Sequence, residues 1–347
     1  MLEKFTQQLA ASQHLSPEQV TLAVEQLIDE RLSPVIKADF LCGLRIKGET
    51  IEEIAAFVQA LRARAVEPPI DKTWRVSHEI LDVCGTGGDR LNTFNISTTV
   101  ALVCAAAGVP VAKHGNRAIT SQAGSADVLE ALGIRIDLSP SEAATSLREL
   151  NFAFFFAPSY HPAFKHISAA RKLCAERGQR TIFNFLGPLL NPARPTAQLV
   201  GVPRPELCEP IAKVLQLLGA HRAMVVSGKV HFEQYLDELS TLGDNTIAEF
   251  YHEKGFATST LSLEHFPLRP ASLSDLLGSD RQANAQIVKR LLEGEERGPK
   301  LDAILLNSAA ALMVAGQTRT LATGWERAQE IIESGRARQK LKELIAV

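Results

Sequence analysis

In the first 67 residues apolar side chains return every three or four positions. Leu41, Leu44, Ile51, Ile54, Phe57, Val58 and Leu61 supply the faces of amphipathic helices, and the whole stretch reads as helical. Start and stop signals sit beside this pattern. Ser16-Pro17-Glu18-Gln19 offers an N-cap, a proline at the first helical position and a capping-box glutamine. Ser33-Pro34 repeats the start, Thr50-Ile51-Glu52-Glu53 is a second capping box, and Gly48 ends the helix before it. Pro68-Pro69 then breaks the pattern and predicts a linker.

From Ile80 the texture changes to short apolar runs alternating with helical segments. The strands expected are Ile80–Cys84, Val109–Ala112, Phe152–Ala157, Leu199–Val202 and Ala223–Ser227. Helices are expected from Ser97, Gly124, Pro140 (Ser139 as N-cap, Glu142 at the third position) and Pro205. This rhythm predicts a largely parallel sheet covered by helices, with ligands outside the carboxyl ends of its strands. Residues 162–192 interrupt it with a helix from Ala163 to about Ala175 and the passage Thr181–Pro192. That passage is expected to pack with the N-terminal helices, so that the chain crosses between two domains and back, leaving a cleft. The organisation expected is a helical domain over 1–72 joined by 162–192, and an α/β domain over 73–161 and 193–347. Residues 293–300 read as a solvated charged turn. The chain closes with helices over Asp302–Val314 and from about Leu321 to Glu333, with Gly335 as a stop.

A chain of 347 residues, 46% apolar and 22% charged, can bury a substantial core without cross-links. The net charge of −2 gives no global attraction to nucleic acid, so any anion site must be local. Five scattered cysteines without metal-ligand spacing read as reduced thiols of a cytosolic protein. No apolar run reaches membrane-spanning length, and the polar start of the chain lacks a signal-peptide core.

Three polar loops concentrate the candidate chemistry. Gly85-Thr86-Gly87-Gly88-Asp89 leaves an apolar run, and its glycines let successive N–H groups form an anion-binding concavity. A plain tight turn is the alternative, with Asp89 either capping it or meeting a ribose, amide or cation. Asn95-Ile96-Ser97-Thr98-Thr99 puts hydroxyls and N–H groups at a helix N-terminus, where an anion is favoured, although Ser97 could simply cap the helix. Lys113-His114-Gly115-Asn116-Arg117 leaves the next strand with a phosphate-neutralising lysine. His114 there reads equally as packing. Ser121 and Gly124-Ser125 begin a further helix. Downstream, Asp237-Glu238 offers hard oxygens suited to Mg²⁺, against the alternative of a solvated surface pair. Phe164 and Arg171, seven apart, would share a helix face with His161 nearby, presenting an aromatic surface and a fork for a carboxylate; a packing phenylalanine and a surface arginine are the alternative.

Taken in order, these strings resemble the anthranilate phosphoribosyltransferase family of tryptophan biosynthesis, within the nucleoside phosphorylase and phosphoribosyltransferase fold class. The resemblance runs over nearly the whole chain, from the helical start through the three loops, Ser121, Gly124-Ser125-Ala126-Asp127, His161-Pro162-Ala163, Thr181–Asn184, Leu186–Pro188 and Asn191-Pro192-Ala193 to Asp237-Glu238. It implies an α/β protein: a small N-terminal helical domain plus a larger α/β domain with a mainly parallel central sheet, homodimeric through its helices and cytoplasmic. It implies Mg²⁺-dependent transfer of phosphoribosyl from phosphoribosyl pyrophosphate to anthranilate, with small-molecule substrates and neither nucleic acid nor membrane as partners. By the same resemblance Gly85, Gly88, Asp89, Thr93, Asn95, Ser97, Thr98, Lys113 and Ser125 hold the phosphoribosyl donor. Gly85, Asn116, His161, Phe164, Arg171 and Gly187 form the anthranilate site, with Arg171 facing its carboxylate. Ser97 contacts one Mg²⁺, while Asp237 and Glu238 hold the other, and no side chain is assigned as acid or base. Three departures stand out: Phe164 where the resemblance expects Met or Tyr, Tyr235-Leu236 where a glycine is common two residues before the acidic pair, and about three extra residues between Arg171 and Thr181. A related transferase or nucleoside phosphorylase with another acceptor, and a non-catalytic nucleic-acid-binding relative, are the competing readings. The intact glycine loop and the net charge argue against the last.

Overall fold

The computed structural model describes residues 1–118, 122–252 and 255–346. Helices α1 (Leu2–Ala10), α2 (Pro17–Ile28), α3 (Pro34–Lys47) and α4 (Ile51–Arg62) open the chain. Their ends follow local chemistry. Ser16 and Gln19 close a reciprocal capping box, as do Thr50 and Glu53, and Ser33 caps α3. Gly48 stops α3 at φ +87°, a conformation glycine adopts freely. After Pro68-Pro69 the chain forms one further short helix, α5 (Lys72–Ser77), capped by Asp71, which the proline pair had masked.

The α/β part follows as β1 (Leu81–Gly85), α6 (Ile96–Ala106), β2 (Val111–Gly115), α7 (Ser125–Ala131), α8 (Pro140–Leu150), β3 (Phe152–Phe156) and the one-turn α9 (Ala157–Tyr160). The interruption comprises a 3₁₀ turn (Pro162–His166), α10 (Ser168–Glu176) and two further 3₁₀ turns, Ile182–Asn184 and Gly187–Leu190. Then come β4 (Ala197–Gly201), α11 (Cys208–Leu217), β5 (Arg222–His231), β6 (Gln234–Leu236), β7 (Asn245–Tyr251) and β8 (Gly255–Leu261). Helices α12 (Arg281–Leu292), α13 (Pro299–Val314), α14 (Leu321–Glu333) and α15 (Arg336–Ile345) finish the chain.

The strands form one sheet in the order β3-β2-β1-β4-β5-β7-β8, with β6 also paired to β5. From β3 to β5 the pairing is parallel; β6, β7 and β8 add an antiparallel edge that the sequence rhythm did not announce. Successive strands run outward from β1 through β2 to β3, then restart at β4 on its other side. The switch point, where parallel sheets open a crevice for ligands, therefore lies between β1 and β4.

Both sheet faces are covered, so the parallel strands read as near-continuous apolar runs. Val83, Leu199, Met224 and Val226 face one core with α6 and α12 to α15. Val200, Ala223 and Val225 face the other, where α11 joins the sheet to Phe40, Phe57 and Leu61 of the N-terminal helices. Ile167, Ala170, Cys174, Ile182, Phe183 and Leu189 lie in this second core, so the interrupting passage packs against α2, α3 and α4.

Two expectations need correction. The helix expected over Ala163–Ala175 is broken: a 3₁₀ turn runs from Pro162 to His166, and α10 begins afresh at Ser168 after Ile167 at φ −104°. Phe164 and Arg171 therefore do not share one helix face. Gly335, read as a stop, ends α14 at φ +78° and also opens α15, a polar amphipathic helix.

Candidate functional site

At the switch point β1 and β4 both end in glycine, Gly85 level with Gly201. The reason is what lies across them. A Cβ on Gly85 would come within 2.8 Å of the Asp237 carbonyl oxygen, and one on Gly201 would overlap that carbonyl outright. The turn after β6 is thus seated on the ends of two central strands, and the solvated reading of Asp237-Glu238 fails: both residues are buried. Asn307 of α13 holds the turn from below, accepting from Leu239 N at 2.9 Å and donating to Leu239 O at 2.9 Å. Asn245 does the same for Ser240.

The glycine loop meets this turn directly. Gly87 N and Gly88 N both donate to Asp237 Oδ2, joined by the Thr86 hydroxyl at 3.3 Å. These N–H groups converge as an anion-binding concavity should, but in this structure the anion they hold is a side-chain carboxylate. Asp89 fulfils its turn-capping reading, accepting from Leu91 N at 3.0 Å, and its other oxygen accepts from Asp237 N at 3.4 Å.

Helix α6 points its N-terminus at the same place. Ser97 N donates to Glu238 Oε1 at 3.2 Å, so this terminus holds a carboxylate and Ser97 is not its cap. Asn95 occupies the cap position but spends its side chain on Ala123 O and Asn284. Thr98 is buried with Oγ1 unpartnered, and Thr93 pairs its backbone with Leu277. Lys113, buried on β2, donates to Val83 O at 2.8 Å and to Ser97 Oγ at 3.3 Å. Ser125 at the start of α7 turns its hydroxyl to Asn116 O. Ser121 lies outside the described residues.

The electrostatics are those of a cation site. Burial, with Asp89 and Glu238 adding repulsion, pushes the Asp237 carboxyl well above the usual range. Burial likewise pushes Glu238 up to about 8, against the opposing pull of Lys113. Burial and mutual repulsion disfavour the charged forms of Asp237 and Glu238, a cost that a bound cation would relieve, and their hard oxygens with the Ser97 hydroxyl suit Mg²⁺. Among the described residues no three acidic, histidine or cysteine side chains converge to hold an ion alone, so waters and a ligand's oxygens must complete any coordination shell.

A second cluster lies beyond β2. The rings of His114 and His161 meet edge to face at 5.4 Å, His161 stacks on Phe164 at 5.1 Å, and Phe164 meets Phe183 at 5.7 Å. The Arg171 guanidinium lies 5.5 Å from the Phe183 centroid and pairs with no acidic side chain among the described residues. Phe183, which the sequence reading passed over, thus links Phe164 to Arg171 across the helix break. His114 is buried; its Nδ1 bonds Gly187 O at 3.2 Å, while Nε2 has no partner. The carbonyl partner places the proton on Nδ1 and leaves a buried acceptor lone pair on Nε2.

The Gly187–Leu190 turn backing this cluster is anchored through its main chain. His114 takes the Gly187 carbonyl, Gln198 of β4 takes Pro188 O at 3.0 Å, Arg62 of α4 takes Leu189 O at 2.8 Å, and His161 takes Leu190 O at 2.9 Å. Beside it, Asn191 donates to Asp82 Oδ2 at 2.8 Å and to Ala112 O at 2.7 Å. Asp82, a charge inside an apolar strand, was the available sequence signal for this anchor. Burial pushes its carboxyl up to about 6, with Lys113 and Asn191 opposing. Gly187 itself is exposed, with nothing within 4 Å of an added Cβ, and Asn116 is exposed on the loop after β2.

Comparison with known proteins agrees with this layout. Residues 77–338 match the α/β domain of a glycosyl transferase family, and residues 3–65 match the helical bundle domain of a glycosyl transferase family. A curated anthranilate phosphoribosyltransferase from Petrotoga mobilis is 43% identical over 99% of this chain and 96% of its own length. The crystal structure of the Thermus thermophilus anthranilate phosphoribosyltransferase superposes with a TM-score of 0.87 at 40% identity, covering 99% of this chain and 98% of that one. A Saccharomyces cerevisiae anthranilate phosphoribosyltransferase in complex with phosphoribosyl pyrophosphate and Mg gives 0.86 at 28% identity, covering 99% and 97%.

Proposed function

Because this chain belongs to the anthranilate phosphoribosyltransferase family, we propose that it joins anthranilate to the phosphoribosyl group of phosphoribosyl pyrophosphate with release of pyrophosphate, and that its two clusters divide the work. The observation that carries the reading is the switch-point arrangement: a glycine loop, the α6 N-terminus, Lys113 and a buried acidic turn meet between β1 and β4. Gly85, Gly88, Asp89, Thr93, Asn95, Ser97, Thr98, Lys113 and Ser125 hold the donor. Ser97 would contact one Mg²⁺ and Asp237 with Glu238 would hold the other, and these ions would supply charge neutralisation to the diphosphate.

Gly85, Asn116, His161, Phe164, Arg171 and Gly187 form the acceptor site. Arg171, half-buried and without a carboxylate partner among the described residues, pairs with the anthranilate carboxylate. The Phe164 and Phe183 rings flank the aromatic ring, and His114 Nε2 accepts from its amine. The amine nitrogen attacks the anomeric carbon as the bond to the diphosphate oxygen breaks. An aromatic amine reacts as the neutral species, so the residues act by orienting the partners and stabilising the leaving diphosphate.

We further propose that residues 1–72 with 162–192 form the helical unit, and that the protein dimerises through it. Val35 and Ile46, exposed on α3, support that interface. The free cysteines support a reducing, cytoplasmic setting. Loss of anthranilate fluorescence on adding donor and Mg²⁺ tests the reaction; fluorescence unchanged with folded protein and both additions refutes it.

A further inference from the structure

Helices α3 and α10 pack together in the second core, and at their contact two sulfurs meet. Cys42 Sγ lies 3.4 Å from Cys174 Sγ, although 132 positions separate them in the chain. Cys84 and Cys208 direct their thiols at backbone carbonyls, and Cys104 is enclosed by apolar residues. The two members of the pair are also not equivalent. Cys174 is fully buried, with its thiol against the Ala38 carbonyl, whereas Cys42 keeps 8% of its surface exposed. The Arg177 guanidinium, where α10 ends, is held at 2.6 Å by Asp39 of α3. A second sulfur within contact can resolve an oxidised first one.

We propose that Cys42 and Cys174 form a dithiol modification site at which a hydroperoxide forms a reversible disulfide between α3 and α10. The Cys42 thiol gives its proton to solvent, its sulfur attacks one peroxide oxygen as the O–O bond breaks, and with hydrogen peroxide the departing hydroxide takes a proton back from solvent and leaves as water. Cys174 sulfur then attacks the Cys42 sulfenic acid, forming the S–S bond. The hydroxide expelled takes up the Cys174 proton as a second water. Both sulfurs are oxidised by one electron, both peroxide oxygens are reduced, and a small dithiol reverses the step by exchange. The sulfurs must approach by roughly 1.4 Å to reach a cystine bond. Burial pushes the Cys174 thiol up to about 12, which assigns it the resolving rather than the attacking part.

The bond would fall one helical turn from Arg171, tying the helix that carries this guanidinium to the N-terminal helices. On the function proposed above, oxidation raises the anthranilate KM by roughly three- to tenfold and leaves the donor KM within about twofold, because a shift of order 1 Å misplaces one clamp only. The chemistry is tested apart from that reading. Full-length protein is treated with stoichiometric hydrogen peroxide, thiols are blocked, and intact mass and non-reducing peptide maps are recorded. The expected product is about 2 Da lighter, carries a cross-link between the peptides of Cys42 and Cys174, and reverts with dithiothreitol. Cys42→Ser and Cys174→Ser each abolish the cross-link, the latter trapping a dimedone-reactive sulfenic acid at Cys42. Absence of the linked peptide, or prior oxidation of Cys84, overturns the proposal. A linked protein with unaltered kinetics refutes the coupling to Arg171 and leaves the catalytic assignment untouched.

Discussion

Gly201→Ala is the sharpest test of how the acidic turn is seated. The added Cβ falls on the Asp237 carbonyl and within 3.0 Å of Glu238 N, both main-chain atoms without a rotamer escape. Restoring an ordinary contact needs the turn to retreat by about 2 Å. Asn307 and Asn245 hold that turn through paired hydrogen bonds, so the retreat costs overpacking of ~1–3 kcal/mol rather than global unfolding. Asp237 and Glu238, the carboxylates proposed to hold Mg²⁺, move with the turn, and a displacement of order 1 Å at a reacting centre costs ~100-fold in rate. Gly187→Ala is the contrast, since its methyl meets nothing within 4 Å. The assay is anthranilate fluorescence loss across a Mg²⁺ titration, with thermal denaturation recorded in parallel. Gly201→Ala should melt cooperatively a few degrees lower, lose about two orders of magnitude in kcat and require more Mg²⁺. A kcat within about threefold of the parent, with the same Mg²⁺ midpoint, would refute the seating and its link to metal binding.

The remaining expectations concern single groups. Arg171→Ala should raise the anthranilate KM far more than the donor KM in initial-rate measurements; equal changes reject its role as the carboxylate clamp. The double change Asp237→Asn with Glu238→Gln should remove most turnover at saturating Mg²⁺, and near-normal rates would refute the metal assignment. Burial holds the imidazoles of His161 and His114 down to about 4 and about 3. An unfolded imidazole titrates near ~6.5, so on acidification the unfolded chain takes up protons first. Their contribution to stability is therefore complete above ~6.5 and lost as pH falls toward 4, by up to ~1.4 kcal/mol per pH unit for each ring. Urea denaturation between pH 7 and 4.5 should show this slope, and His161→Gln should flatten its share; an unchanged slope contradicts the buried, neutral assignment.

Much of the fold was legible because its signals are local. The boxes at Ser16, Thr50 and Ser139 each open the helix they predict, and the strands from Leu81 to Val226 follow the apolar runs. What escaped has no such signal. Strand β8 is rich in Ser and Thr and mostly exposed, held by pairing with β7 rather than by a buried face. Helices α12 and α15 are polar except for the stripe they place on the first core.

The candidate site divides in the same way. The glycine loop, Lys113 and the acidic pair were visible as residue types, but their convergence depends on strand order. Gly201 looks like any strand-ending glycine until the carbonyl above it is seen, and Asn307 is one amide in an alanine- and leucine-rich helix. The Phe164–Arg171 pairing was inferred from helical spacing that the chain does not keep. Phe183, from a third segment, does the joining.

The Gly187–Leu190 turn is fastened by its carbonyl oxygens, which every amino acid possesses. Its position is therefore insulated from the identity of its own side chains and from the length of chain that leads into it. The stretch between Arg171 and Thr181 can change in length and still deliver the turn to the same place. Variation in acceptor preference among proteins built this way should accumulate in the lead-in segment and leave the backing wall where it stands.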